Sequence, residues 1–424
     1  MVKSKDIMAI IVFISLAVVP LVFFPVGTND FFVWPKLLVL RLIGIVYLLW
    51  IFKNRKHLNR LISTDWINRL LFLYLVVLII STIFSINVSQ SIFGNPFRFE
   101  GLLTIAIYFI LFLIARQQGF ISKKNVYWML FTGCIVALYG IMQRYGLEFF
   151  PRDMIRENWT YAFSTIGNPN FLGTYIVLLL PFAVHSYMIE KKKIGLLIYS
   201  ILFYGLLSTM TRGTWIGAFF SVLIYFGMTL FFKDKFKIRL KELILFGLVS
   251  VICMIVFDLS HSGTFLQRLV TIPQEIEIVI TGKDNIEQAG SNRIFIWRHV
   301  IELIKMRPLL GFGLENLHLA FNQYFREDVI RVYGVPMSID RAHNEYLHIA
   351  VSSGLLALAL YLSFILLVIR KGVSKLLELL YAVPLLAAIF GYLIQAFFNI
   401  SVVSVAYIFW IFLGFLASSK VIKT

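Results

Sequence analysis

Four residues stand out for the chemistry their side chains could do. His343 lies in RAHNEYL, where a polar strip runs directly into a long apolar stretch beginning with Asn344. A lone imidazole with an ordinary pKa near 6.5 can exchange a proton near neutrality. Arg98 sits in GNPFRFEGLLT, Arg212 in TMTRGTW and Arg293 in SNRIFIWRHVIELIKMRP. Guanidinium groups offer a planar, permanently charged fork that suits bidentate binding of phosphate or carboxylate. The alternative for any one of these arginines is a pair with an acidic residue of its own segment, and Glu100 beside Arg98 reads as such a pair. A histidine beside a membrane interface can equally be amphipathic packing; sharing a face with three arginines favours chemistry.

The elements that must position these residues are apolar. Hydrophobic residues make up 59% of the 424 and mean hydropathy is +0.85, whereas a soluble domain carries about 45–50% apolar residues. Runs of about 20 apolar residues fall near 7–26, 31–52, 67–86, 101–115, 126–143, 170–189, 194–210, 214–232, 243–257, 346–369, 376–398 and 402–418. This predicts an all-α polytopic membrane protein of about twelve transmembrane helices, forming a single domain over 1–424. The first run is too long for a cleaved signal peptide, and no small-residue cleavage site follows it. A large polar loop, 258–345, interrupts the series. Cys134 and Cys253 both fall inside predicted spans, so a disulfide is not expected.

Charge sets the expected orientation. With the N-terminus inside, cytoplasmic segments take 17 Lys and 5 Arg, and the other side holds 12 Arg and 2 Lys, nine of these 14 in the long loop. Short loops obey the positive-inside rule, while long ones translocate regardless of charge. The 258–345 loop is therefore expected outside. The net charge of +17 reads as anchoring to anionic lipid rather than to nucleic acid. Lys36 and Arg41 lie within the second span. Five residues apart on a helix, they point about 140° apart and should not share a ligand. Arg41, near mid-membrane, is expected in an ion pair, and Lys36 is nearer the outer edge.

The long loop has helices of its own. One follows a cap at Ser291 or Asn292, carries Ile294, Trp297, Ile301 and Ile304 on one face, and ends before Pro308. Arg293 sits in its first turn, where the helix N-terminus favours anions. A glycine turn, Gly311-x-Gly313, leads to a second amphipathic helix with Leu317, Phe321 and Tyr324. Farther back, Asn168-Pro169-Asn170 reads as a turn and N-cap for the sixth span, with Asn170 explicable by capping. Tyr346 lies within a turn of Asn344 at the start of the tenth.

Four of these pieces, GNPNFLGTY, TRG, the R-x-x-x-W helix with its RPLLGFG exit, and AHNEYL, stand in an order that resembles the O-antigen ligase-like family, over about 98–354. That family comprises O-antigen ligases, polysaccharide polymerases and protein O-oligosaccharyltransferases. The resemblance implies a glycan donor linked by pyrophosphate to a polyprenyl lipid, and transfer outside a bacterial cytoplasmic membrane. It implies Arg212 and Arg293 as pyrophosphate clamps, Arg98 as a further one, and His343 as the base. Asn344, Tyr346 and Asn170 would be supporting residues, and Lys36 could touch the donor phosphate. Where family members often have Ser-Arg-Gly, this chain has Thr-Arg-Gly.

The chemistry is coherent. A glycosyl pyrophosphate has a good leaving group, so arginine donors offset its developing charge while a base takes the proton of the acceptor hydroxyl. No Asp-x-Asp pair suggests a divalent metal, so the expectation is metal-independent, inverting, single-step transfer with no cofactor. Asp340, Glu345 and Glu315 stand as rival bases. The acceptor, whether glycan, lipid or protein, is not legible. The competing class is a flippase of lipid-linked oligosaccharides, for which an internal repeat and broken midplane helices would be expected.

Overall fold

The structure, a computed structural model, describes residues 4–24, 31–54, 65–149, 161–281 and 289–419. Among the described residues there are helices and no strands. Hydrocarbon cannot hydrogen-bond a backbone, so apolar runs satisfy their own amides as helices. In chain order they are α1 (Ser4–Phe13, extended by a π turn and a 3-10 turn to Leu21), α2 (Val33–Lys53), α3 (Trp66–Ile83), α4 (Val88–Phe93), α5 (Leu102–Gln118) and α6 (Lys123–Arg144). Next come α7 (Pro169–Met188), α8 (Lys193–Ser208), α9 (Arg212–Phe231), α10 (Leu240–Ser260) and α11 (Thr264–Thr281). The rest are α12 (Ala289–Met306), α13 (Leu317–Tyr324), α14 (Arg326–Tyr333), α15 (Glu345–Val373), α16 (Ala382–Gln395) and α17 (Val403–Ala417).

Seven of these are long and apolar enough to cross a membrane: α2, α3, α6, α7, α9, α10 and α15. Five more apolar helices, Ile7–Leu21, α5, α8, α16 and α17, have 10–17 residues. At about 1.5 Å per residue they reach at most about 26 Å, short of a hydrocarbon core of about 30 Å. The all-helical membrane class holds, but helix length alone supports seven full spans rather than twelve. At the centre stands α7, buried throughout its apolar window and packed by α6, α8, α9 and α16. By contrast α10 is only 11% buried, leaving a rim of Leu, Ile and Val facing outward.

A second apolar core, separate from the first, is built by Phe295, Val300, Leu303, Phe312, Phe321 and Val351. It joins α12, α13 and α14 to the first turns of α15. The buried stripe of α12 differs from the expected one. Phe295, Ile296, Val300 and Leu303 face inward with Ile304, while Ile301 is exposed. IFIW offers two faces that both satisfy helical spacing, and only packing chooses between them. Ser291 and Asn292 lie inside α12, not before it, with Asn292 at φ +65°. The sequence reading placed no helix over 264–281, where α11 forms. Arg41 lies 5.2 Å over the ring of Trp34 in place of the expected ion pair.

The two cores are latched together at a break in α15. Gly354 adopts φ +87°, ψ +166° inside that helix, which leaves the carbonyls of Val351 and Ser352 unpaired within it. The RPLLGFG loop fills the gap: Phe312 N donates to Val351 O at 2.9 Å, Gly313 N to Ser352 O at 2.8 Å, and Leu355 N donates back to Pro308 O at 2.7 Å. From α3, Ser81 Oγ donates to Leu310 O at 2.7 Å. A Cβ on Gly354 would collide with the Leu309 carbonyl, and one on Gly311 with the Ser352 backbone. Gly311 and Gly354 are therefore required by backbone approach, and Gly313 by the side chains of Ser85, Ser91 and Asn316.

Candidate functional site

His343 occupies the last residue but one before α15, in a left-handed conformation (φ +49°) that a non-glycine residue seldom adopts. Its position is determined from both sides. Asn344 caps α15, accepting from Leu347 N at 3.0 Å, and Glu345 N donates to Ala396 O at 2.9 Å. Ala342 O accepts from the Trp297 indole of α12 at 2.9 Å. A strained residue held by neighbours this firmly is a recurrent feature of working sites.

The electrostatics around it are cationic. Burial, and then the charge of Arg293, push the His343 imidazole down to about 4; Asp340 opposes this, while Arg98 and Arg341 add to it. The imidazole is therefore neutral over the ordinary pH range, the state a base requires. Arg98 pairs through Nε with Asp340 Oδ2 at 3.0 Å, which holds the Asp340 carboxyl below its usual range despite its burial. This replaces the expected Arg98–Glu100 pair: Phe99, at φ +58°, turns the two side chains apart, and Glu100 accepts from Tyr108 OH at 2.8 Å instead. The Arg98 guanidinium also lies 6.0 Å from the Phe171 ring, beside Asn170. Asn168 is the cap of α7, accepting from Asn170 N at 2.9 Å, so capping does not account for the Asn170 side chain.

Arg212 opens a different environment. The turn before it is tied by hydroxyls, Thr209 to Thr211 at 2.8 Å and Thr211 to Thr214, and by Trp215 Nε1 donating to Leu206 O at 3.2 Å. Arg212 Nη1 donates to Thr271 Oγ1 of α11 at 2.9 Å. Below it runs an apolar cavity of about 570 Å³ between α8, α9, α10 and α11, lined by Trp215, Phe219, Phe226, Phe246 and Phe265. A pair of phenylalanines links the turn that carries Arg212 to the helix that carries Trp297. Gly213 packs on Phe398, Trp297 packs edge-on to Phe397 at 5.5 Å, and the two phenylalanines touch.

Two of the sequence candidates have structural occupations. Lys36, fully buried, donates to Val22 O at 2.7 Å, Phe32 O at 3.1 Å and Thr165 O at 2.6 Å. These bonds make it a strut between α2, the end of the 3-10 turn and the 164–166 turn. Tyr346 OH donates to Leu393 O at 2.7 Å, tying α15 to α16. Among the rival bases, Glu315 is ion-paired with Arg341, Asp340 with Arg98, and Glu345 accepts from Tyr361 OH at 3.3 Å. Arg341 itself was not singled out by sequence. It is 1% exposed and also reaches His348 Nε2 at 3.1 Å. Its only sequence signal is a charge next to the His–Asn pair.

A family model, Wzy_C (O-antigen ligase), matches residues 197–362. That stretch takes in α8 to the upper half of α15, and so the TRG turn, the R-x-x-x-W helix, its glycine exit, Arg341 and His343; Arg98 and Asn170 fall before it. A comparison with curated proteins finds no match. The latch glycines, the His343 loop and the Arg212 turn all lie inside the matched stretch, which is similar to the O-antigen ligase family.

Proposed function

We propose that this protein transfers a glycan from a polyprenyl-pyrophosphate donor to an acceptor hydroxyl at the outer face of a bacterial cytoplasmic membrane. The observation that carries the reading is His343, neutral and conformationally held, in the field of Arg293, Arg98 and Arg341. His343 takes the hydroxyl proton as the oxygen attacks the anomeric carbon; the C–O bond to pyrophosphate breaks, and the arginines meet the charge that develops there. Direct attack inverts the anomeric centre. The donor's isoprenoid tail suits the aromatic cavity below Arg212, which is apolar along its length and has a guanidinium at its mouth. Binding of an anion to these arginines would cancel part of the field that depresses the imidazole, so the base strengthens as the donor arrives.

One observation favours the flippase alternative: α15 is broken, as transporter helices often are. The break, however, is filled by residues 308–313 of the chain itself, whose amides occupy the exposed carbonyls. The deciding experiment is purified protein with a polyprenyl-pyrophosphate glycan, an acceptor and a chelator. The wild type should transfer glycan, and His343→Ala should lose transfer while still binding the donor lipid. Undiminished transfer by His343→Ala removes the base assignment, and activity lost to chelator and restored by a divalent ion removes the metal-free mechanism.

A further inference from the structure

Beside the His343 loop, between α3, α5 and α15, lies a second cavity, of about 80 Å³, distinct from the apolar one. Three carboxylates reach its wall: Glu100 before α5, Glu315 after the glycine turn, and Glu345 at the start of α15. The cation that faces them is Arg341, and it is spent on Glu315. Around the other two stand neutral groups. Tyr108 donates to Glu100, and Tyr361 and Tyr392 of α16 to Glu345, with Tyr74 of α3 on the wall. His348 is neutral as well, since Arg341 can only donate and Nε2 must accept. Glu100 feels the charge of Arg341, but no cation is among the groups acting on Glu345, and a bare carboxylate buried with no counter-charge is strongly unfavourable.

Four buried polar atoms on the same wall have no protein partner: Glu345 Oε2, Ser352 Oγ, Ser353 Oγ and His348 Nδ1. The serines are 2% and 1% exposed and sit where α15 unwinds towards Gly354. We propose that this cavity binds one single positive charge, a sodium ion or a proton shared with water, held by Glu345 and the Ser352 and Ser353 hydroxyls. One carboxylate oxygen with hydroxyls is a hard-oxygen site, and among the described residues no three acidic, His or Cys side chains converge as a divalent ion would want. Because Arg341 places the His348 proton on Nδ1, that side of the cavity takes water. The volume admits an ion with a water or two. Burial pushes the Glu100 carboxyl up to about 8, Arg341 opposing it, in keeping with a pocket short of positive charge. Occupancy leaves Arg341 committed to Glu315, and so holds the 340–344 loop beneath His343.

The test uses full-length protein in lipid nanodiscs at constant ionic strength. Thermal midpoint is followed as sodium replaces choline, and infrared difference spectra are recorded for the C=O stretch of a protonated carboxyl. A saturable rise of the midpoint with sodium, lost in Glu345→Gln and weakened in Ser353→Ala, identifies the ion. No sodium response, with a protonated-carboxyl band at neutral pH that disappears in Glu345→Gln, identifies the proton. A wild type with neither signal, or signals unchanged in both Glu345→Gln and Glu100→Gln, overturns the proposal. Glu345→Gln keeps shape and removes charge, so its folding is checked by its sodium-free midpoint, which should not fall. None of these readouts involves glycan transfer, so the site and the proposed activity stand or fall separately.

Discussion

Arg293 and Arg212 differ at the residue scale in what surrounds them, and the same substitution should reveal it. Lysine keeps the charge and loses the planar fork. Arg293→Lys, beside the base, should lower kcat about 100-fold or more, as loss of a donor aimed at developing charge does. Arg212→Lys, at the mouth of the apolar cavity, should chiefly raise KM for the donor. Exposed Arg326→Lys on α14 should change either constant little. Steady-state transfer assays check this, and near-normal constants for both variants would count against bidentate phosphate binding. The imidazole predicts a pH profile. A base must be neutral, and burial with Arg293 keeps His343 neutral down to about 4. Activity should therefore persist below pH 6.5 and fall only as pH drops towards about 4 in kcat/KM, which reports the free enzyme. Arg293→Gln removes a cation that lowers the pKa, so its residual activity should fall at a higher pH than the wild type's. A limb near 6.5 in both would show that the arginine field does not act on the base. His318→Ala on α13 should leave transfer far less affected than His343→Ala, whereas His299→Ala would also unpack the second core, where its ring lies against Phe295 and Phe325.

For the elements, the consequential feature is the latch between α15 and the RPLLGFG loop. Gly354→Ala puts a Cβ into the Leu309 carbonyl at a positive φ, where strain of about 1–3 kcal/mol is typical before any steric clash is counted. We expect a lower thermal midpoint and loss of transfer, because α12 with Arg293 and the His343 loop both hang from this joint. Gly227→Ala, in α9 with open space around it, should be neutral or stabilise by up to about 1 kcal/mol. Equal midpoints for the two variants would mean that the loop does not bear on α15. The Gly311-x-Gly313 pair could be read in sequence as a turn, but its partner Gly354 could not. A lone glycine in a 29-residue apolar helix carries no local sign that the helix opens there.

Orientation belongs to the whole molecule. The proposed orientation, with the lysine-rich short loops in the cytoplasm, has Asn54 inside and the second core outside. In a variant without Cys134 and Cys253, a cysteine at Asn54 should resist an impermeant maleimide in intact cells, while one at Asn322 on α13 should react. Labelling of Asn54 from outside would put the proposed site on the wrong face. The match to the O-antigen ligase family begins at α8 and ends within α15, yet α7, the most buried of the seven long apolar helices, lies before it. Arg98, also before it, reaches the His343 surroundings through Asp340.

Composition and the period of apolar runs were enough to determine an all-helical membrane protein, because lipid permits few other ways to satisfy a backbone. Residue type and order likewise pointed to the His343, Arg212 and Arg293 motifs. Partnership was beyond their reach. That Arg98 pairs with Asp340 and not Glu100, that Lys36 reaches the Thr165 carbonyl, and that Arg341 lies buried on Glu315 each depend on segments distant in the chain. Burial gives such pairs their strength, and burial is a property of the packed molecule. The apolar cavity under Arg212 and the polar one beside Glu345 arise in the same way, from helices that sequence could propose singly but only tertiary packing could set side by side.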